Sequence, residues 1–313
     1  MPTAFYSHPD CRAHDMGEGH PECAERLDAI NDLLIATGLD IALEHREAPL
    51  LNLSDAALAH ASGYLAELRE LLRQVEESGQ PRAIDPDTFA CPATWAAAQR
   101  AAGAAVAATD AVLDGAIENA FCAVRPPGHH ATRSQAMGFC FLNNVAIAAR
   151  HALDVRGLER VAVVDFDVHH GNGTEDILAG DERVLMVGIF QHPLYPYSGA
   201  VPKGDNMLNL PLAPYTRGPE VRALIEANWL PRLEAFRPQM LFVSAGFDAH
   251  RDDELGQLGL VEADYEWITR RIKDVADRHA AGRIVSCLEG GYSLGALARS
   301  VAVHLRVLAG LHA

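Results

Sequence analysis

Four short apolar runs, each shaped like a buried strand and each ending abruptly in polar residues, constrain this chain more than any other feature. Phe121 to Val124 runs into RPPGHHA with His129 and His130, and Val161 to Val164 into DFDVHHGNGT. Met240 to Val243 runs into SAGFDAH with Asp248, and Ile284 to Leu288 into EGGYS with Tyr292. Segments of helical pattern stand between them, over residues 141–153, 219–236 and 263–280. Strands that alternate with helices predict an α/β fold with a predominantly parallel sheet and helices on both faces. In an open parallel sheet the ligand crevice lies beyond the carboxyl ends of the strands, so these scattered residues are expected to converge on one site.

The rest of the chain fits this plan. Residues 3–7 and 183–190 read as further strands; 21–37, 54–59, 64–77, the Ala-rich 95–113 and 294–309 read as helices. Residues 82–94, with two prolines, read as loop. At 313 residues there is room for two average domains, but no Ser, Gly or Pro-rich linker divides the chain, and 49% of its residues are hydrophobic. One domain over residues 1–313 is therefore expected. Lys plus Arg number 26 against 42 Asp plus Glu, a formal charge of −16, which argues against a nucleic-acid surface. Ordinary solubility accounts for that charge, although an acidic surface also concentrates cationic substrates. Six cysteines without a C-x-x-C pair predict reduced thiols. MPTAFYSHPD lacks a signal-peptide pattern and no apolar run has membrane-spanning length, so a cytoplasmic protein without a membrane partner is expected. Oligomerisation stays open.

Chemistry is densest in VAVVDFDVHHGNGT. If the extended conformation continues past Val164, alternation projects Asp165, Asp167 and His169 to one face and Phe166 and Val168 to the other. Two carboxylates and an imidazole suit a divalent metal, and a catalytic zinc takes three protein ligands and keeps one position open. With Asp248 arriving from its own strand end, Asp167, His169 and Asp248 form the candidate ligand set, zinc being favoured by the mixed nitrogen and oxygen donors. His129 and His130 are candidates for the proton transfers of a hydrolysis, with Asp165 and Asn172 as orienting partners. Tyr292, on a Gly-Gly turn, is the candidate donor to a developing oxyanion. Each has a plainer reading: Asp248 as a helix cap, Gly-Gly as a tight turn, adjacent histidines as solvated side chains. Their joint placement at successive strand ends favours the chemical one. His8, His14 and His20 fit no ligand spacing and are expected to be surface or hydrogen-bonded loop residues.

In this order, RPPGHHA, GFCFLNN, VDFDVHHGNGT, SAGFDAH and LEGGY, with HPECAERL near the start, resemble the zinc-dependent histone deacetylase superfamily over nearly the whole chain. The resemblance implies an arginase/deacetylase-like three-layer α/β/α fold and hydrolysis of an acyl amide, usually an acetyl-lysine side chain. It implies one Zn2+ per chain on Asp167, His169 and Asp248, an acid/base pair in His129 and His130, and an oxyanion donor in Tyr292. A potassium ion behind the zinc would use Asp165 and main-chain oxygens of Asp167 and His169. Gly138, Phe139, Tyr195 and Leu255 would wall the narrow channel for the substrate stem. Iron is open as the metal in vivo, since it takes the same ligands.

Departures from the family pattern narrow the type. Asn172 after HHG and the RPPGHHA wording resemble the class II branch, and Tyr292, in place of the histidine of a weakly active sub-branch, implies turnover of plain acetyl-lysine. Ala90 stands where class I members carry an Asp that grips the substrate backbone, and Tyr195 where Phe is usual. Gly188 stands where a hydroxyl residue often assists potassium, and Phe190 where His is common. Leu255 lies about where polyamine deacetylases carry a Glu gatekeeper. The resulting expectation is a bacterial-type deacylase of acyl-lysine or a similar small amide. An acetylpolyamine or other small-molecule amidohydrolase is the enzymatic alternative, and a catalytically silent acyl-lysine binding protein the non-enzymatic one. A two-metal hydrolase is disfavoured because no further Asp or His ligands are found nearby.

Overall fold

The computed structural model describes residues 1–311. In chain order the strands are β1 (Thr3–Ser7), β2 (Leu43–Glu47), β3 (Arg82–Ala83), β4 (Phe89–Ala90), β5 (Asn119–Cys122), β6 (Val161–Asp165), β7 (Val184–Gln191), β8 (Met207–Leu212), β9 (Met240–Ala245) and β10 (Ile284–Leu288). The α-helices are α1 (Asp10–Ala13), α2 (Glu25–Thr37), α3 (Leu53–Ala59), α4 (Ser62–Ser78), α5 (Thr94–Leu113), α6 (Asn144–Asp154), α7 (Asn172–Leu178), α8 (Gly218–Phe236), α9 (Glu262–His279) and α10 (Leu294–Leu308). None of the described helices is long and apolar enough to cross a membrane.

Eight strands form one sheet in the order β2-β1-β5-β10-β9-β6-β7-β8, with every pair parallel. Helices lie around it: α2, α10, α9 and α8 pack in series as one group, and α3, α4, α5, α6 and α7 as another. This is the three-layer arginase/deacetylase-like α/β arrangement expected from the motifs. The middle strands are buried at every position, as MLFVSA in β9 and VAVVD in β6, because both of their faces carry helices. The four strands picked out in the sequence are direct neighbours, β5-β10-β9-β6. Because they run the same way, their carboxyl ends lie at one end of the sheet and deliver their polar loops there. In the middle of that set β10 is held on both sides, Ile284 opposite Asn119 of β5 and Leu241 of β9.

Several elements differ from the sequence expectation. β2 and β8 lie at the sheet edges and show mixed burial, which an apolar-run criterion passes over; Pro211 in β8 is tolerated because an edge strand need not donate on its outer side. Residues 82–94 contain a small antiparallel hairpin, β3 with β4. β5 starts earlier than its apolar run because Asn119, though polar, is buried and donates through Nδ2 to the Leu308 carbonyl at 3.0 Å. α6 starts only at Asn144, since the Asn143 side chain accepts from the Ala146 N–H as its cap. β6 ends at Asp165, yet Phe166 and Val168 stay in the core, Phe166 packing on the rings of Phe247, Tyr265 and His304. The chain bends over residues 167–169, where the Asp165 and Asp167 side chains accept the N–H groups two residues on, so the extended continuation expected past Val164 stops at Asp165.

Candidate active site

The loops after β5, β6, β9 and β10 meet beyond the carboxyl ends of these strands. Asp167, His169 and Asp248 are buried and offer ligand atoms that all lie within 4.8 Å of one another. His169 Nδ1 stands 3.0 Å from Asp167 Oδ1 and 3.2 Å from Asp248 Oδ2. The other oxygens are fixed from behind: Asp248 Oδ1 accepts the Val168 N–H at 2.8 Å, and Asp167 Oδ2 accepts the Gly290 N–H at 2.8 Å. Asp248 therefore does not cap α9. Its Oδ2 is buried without a hydrogen-bond partner, and burial together with the Asp167 carboxylate pushes Asp248 up to about 7. Two buried carboxylates converging on one imidazole nitrogen, one of their oxygens without a hydrogen bond, form an environment that a divalent cation satisfies. The cradle is tight: a Cβ on Gly290 would lie 2.0 Å from Asp248 Oδ2 and 2.7 Å from Asp167 Oδ2. The donor set fits a zinc ion. No other group of this kind occurs among the described residues, His8, His14 and His20 included. His14 is buried rather than at the surface, bonded through Nδ1 to Thr94 Oγ1 at 2.9 Å; His20 Nε2 meets the Asp87 carbonyl at 3.0 Å.

His129 and His130 stand beside this set with ring centroids 4.1 Å apart. His129 Nδ1 donates to Asp165 Oδ2 at 3.0 Å, and His130 Nδ1 meets Asn172 Oδ1 at 2.7 Å. The two environments differ in sign. Burial works against charge on His129, but Asp167, Asp165 and Glu289 overcome it and raise the imidazole well above its usual range. On His130 burial and the neighbouring His129 and His169 rings act together and hold it well below that range, its Asn172 partner being uncharged. Asp165 thus serves the first histidine through one oxygen, while its Oδ1 accepts the Asp167 N–H at 3.1 Å. Gly188 lies opposite Asp165 across β6 and β7 and brings no side-chain oxygen.

A cavity of about 210 Å3 descends to these residues, lined by His129, His130, His169, Gly138, Phe139, Tyr195, Leu255 and Tyr292 among others. Gly138, Phe139, Tyr195 and Leu255 thus share one cavity with the histidine pair. Phe139 holds a left-handed backbone (φ 69°) that costs a non-glycine residue about 1–3 kcal/mol. That conformation is secured by its N–H donating to Thr88 Oγ1 at 3.0 Å and by the His20 ring 4.7 Å away. Gly138 is needed beside it: its φ is 55°, and a Cβ would strike His130 Cδ2 at 2.5 Å. The Tyr292 ring faces Phe139 at 6.0 Å and lies under the Arg26 guanidinium at 5.0 Å. Burial foremost, with the Asp248 carboxylate, raises the Tyr292 phenol well above its ordinary value, so it stays a hydrogen-bond donor.

The side chains that support the site do not stand out in the sequence. Arg26 donates to the Gly291 carbonyl at 2.7 Å and to the Glu289 carbonyl, gripping the Gly-Gly turn, and it pairs with Glu22 at 3.0 Å. Arg125 pairs with the same carboxylate and donates to the carbonyls of Cys11 and His14. Burial alone would raise Glu22, but Arg125 and Arg26 hold it at about 2. The Glu289 carboxylate accepts from the Gly128 and His129 N–H groups at 2.7 and 3.1 Å and from Ser244 Oγ at 3.0 Å, fixing the histidine loop. Asp87 reaches the cavity wall from the β3–β4 hairpin, where burial and Asp85 raise it to about 6. HPECAERL and LEGGY carried most of these residues as motif letters; only the fold shows what they touch.

Residues 20–308 match the family model described as "Histone deacetylase domain". A "Histone deacetylase-like amidohydrolase" of Pseudomonas aeruginosa is 39% identical over 282 residues, covering 88% of this chain and 73% of that protein. A "Probable deacetylase" of Archaeoglobus fulgidus is 37% identical over 309 residues, covering 95% and 83%. Human "Polyamine deacetylase HDAC10" is 36% identical over 336 residues, and there the chain spans about half (48%) of the relative. Among solved structures, the HDA15 HD domain superposes with a TM-score of 0.92 at 30% identity, covering 99% of this chain and 88% of that one. With its parallel sheet, its strand-end motifs and a match over nearly its whole length, the chain belongs to the histone deacetylase family.

Proposed function

We propose that the protein, a single catalytic domain, hydrolyses the acyl amide of acetyl-lysine or a similar short-chain acyl-lysine side chain. The observation that carries this reading is the meeting of Asp167, His169 and Asp248 with His129, His130 and Tyr292 at the floor of one narrow cavity. Asp167, His169 and Asp248 would hold one zinc ion, which supplies Lewis acidity to the acyl carbonyl and a more acidic water. Asp165 with main-chain oxygens would hold potassium, without help from a side chain at Gly188. The apolar faces of Phe139, Tyr195 and Leu255 enclose the substrate's methylene stem and keep bulk water out. His130, neutral and with Nδ1–H directed at Asn172, presents Nε2 to accept the proton of the attacking water. His129, held protonated by Asp165, stabilises the negative charge that develops and stands by to protonate the amine that leaves. The Tyr292 hydroxyl donates to the former carbonyl oxygen as it becomes an oxyanion, which is worth about 10²–10³ in kcat for one such donor.

Leu255 in the cavity wall supports an uncharged stem. Asp87 supports a second reading, acetylated polyamines, since its carboxylate lines the same cavity and attracts a distal ammonium. Zinc-loaded protein assayed in parallel on an acetyl-lysine peptide and on acetylated polyamines, with a hydroxamate control, separates the two. A large preference for polyamines overturns the first, and no hydroxamate-sensitive turnover of either overturns both. Six unpaired cysteines support a reducing, cytoplasmic compartment.

A further inference from the structure

We propose that Asp253 is a positioning residue that locks the oxyanion donor Tyr292 and the channel residue Leu255 into one arrangement; the role rests on the deacylase reading above. Asp253 is buried in the loop after β9, five positions beyond Asp248. Its Oδ1 accepts the N–H of Leu255 at 3.0 Å. Its Oδ2 accepts the N–H of Tyr292 at 2.6 Å and of Ser293 at 3.0 Å, both from the loop after β10. One carboxylate therefore spans two loops and takes three backbone donors.

The restraints on Tyr292 are unequal on its two sides. Ahead of it, the glycines are held through the Gly290 N–H by Asp167, through the Gly290 carbonyl by the Phe247 N–H, and through the Gly291 carbonyl by Arg26. From Tyr292 onward Asp253 takes over. Ser293 is the N-cap residue of α10 and its own side chain makes no capping bond; the Asp253 carboxylate, from another loop, receives the N–H of Ser293 and that of Tyr292 just ahead of the helix. Ionised acceptors at such a helix end are favoured by the exposed N–H groups and the helix dipole, which makes the clasp strong as well as directional. A phenol fixed at its backbone on both sides leaves its hydroxyl little freedom, and a donor preorganised at the oxyanion position is the kind that lowers a barrier.

Asp253→Asn is nearly isosteric but places an N–H2 against either the Leu255 donor or the Tyr292 and Ser293 donors. It is expected to lower kcat on the acetyl-lysine peptide by about 10- to 100-fold, the scale of an ångström's misplacement, with KM and bound zinc near wild type. In a Tyr292→Phe background the same change is expected to cost less than about 3-fold, because residues that act through one group are not additive. Equal losses in both backgrounds overturn the proposal. Should Asp253→Asn not fold, Asp253→Ser, which leaves a small acceptor and room for water, carries the same cycle. Hydrogen exchange of the peptide spanning 289–295 provides a readout independent of turnover: faster exchange of the Tyr292 and Ser293 amides is expected in the variant, and unchanged protection overturns the clasp. A wild-type protein without turnover overturns the deacylase reading instead, and the exchange measurement still decides the clasp.

Discussion

Replacing Gly290 by Ala tests the metal cradle directly. The new Cβ would stand 2.0 Å from Asp248 Oδ2 and 2.7 Å from Asp167 Oδ2, where real Cβ contacts do not fall below 3.0 Å. Asp248 must therefore retreat by about 1 Å and Asp167 by about 0.3 Å, whereas metal-ligand distances tolerate about 0.2 Å. Neither carboxylate is free to follow, since Asp248 Oδ1 is bound to the Val168 N–H and Asp167 Oδ1 to the His169 N–H, each at 2.8 Å. Backbone strain does not enter, because Gly290 is not among the positive-φ glycines. Loss of an outer-shell partner alone typically costs 10–100-fold in metal affinity, so displacing two ligands is expected to cost on the order of 100-fold or more. Competition against a zinc-buffering chelator, with melting of the metal-free forms as the folding control, measures this. A variant that folds and binds zinc within 3-fold of wild type refutes the geometric argument.

Other expectations follow from the same site and core. Tyr292→Phe should lower kcat by about 10²–10³ while leaving zinc content unchanged, read from steady-state kinetics and metal analysis. Leu255→Glu, placing a carboxylate in the wall that Asp87 already shares, should raise kcat/KM for acetylated polyamines over the acetyl-lysine peptide by about 10-fold; an unchanged ratio removes Leu255 from the specificity argument. Acid should destabilise the fold through buried neutral histidines. Burial lowers His60 to about 4, where Nδ1 meets the Thr132 carbonyl and Nε2 accepts the Asn143 N–H, and lowers His304 to about 3 between Thr269 and Ser286. Their folded values lie below the ordinary 6.5, so the stability they confer is complete above pH 6.5 and is lost as pH falls toward 4 and 3. For His60 this is on the order of 3 kcal/mol, at 1.36 kcal/mol per unit. Urea midpoints of the metal-free protein should fall between pH 6.5 and 4, and a flat profile there contradicts the assignment.

The central architecture was legible because β5, β6, β9 and β10 are buried along their whole length, are mostly apolar and end in polar loops, a pattern that local sequence displays. The edge strands were not, since LEHRE and MLNLPL have one partner strand each and keep polar residues that read as loop. Asp167, His169, Asp248 and the histidine pair were readable as strand-end chemistry, and the structure brings them to one point. Glu22, Arg26 and Arg125 were opaque for a different reason: a charged residue reads as surface until its partner is known, and the Glu22–Arg125 pair closes across 103 positions. Asp253 sits in HRDDEL among residues that look like a solvated turn, and only its three backbone donors, two of them from the next strand's loop, mark it as interior.

The place of β10 in the sheet also bears on how the protein is made. Among the described strands it is the tenth to emerge during synthesis, yet it belongs between β5 and β9, in the middle of the ladder. Until residues 284–288 are available, the nascent chain has two half-sheets, β2-β1-β5 and β9-β6-β7-β8, each with an apolar edge that the finished molecule hides. Exposed edges of that kind invite mispairing, and the long-range closure that removes them is intrinsically slow. Asp167, His169 and Asp248 all precede β10, but the Gly290 amide that orients Asp167 and the phenol of Tyr292 arrive with it. Completion of this site and closure of the sheet are thus late events of one process, and chaperone demand should fall on the chain just before that strand inserts.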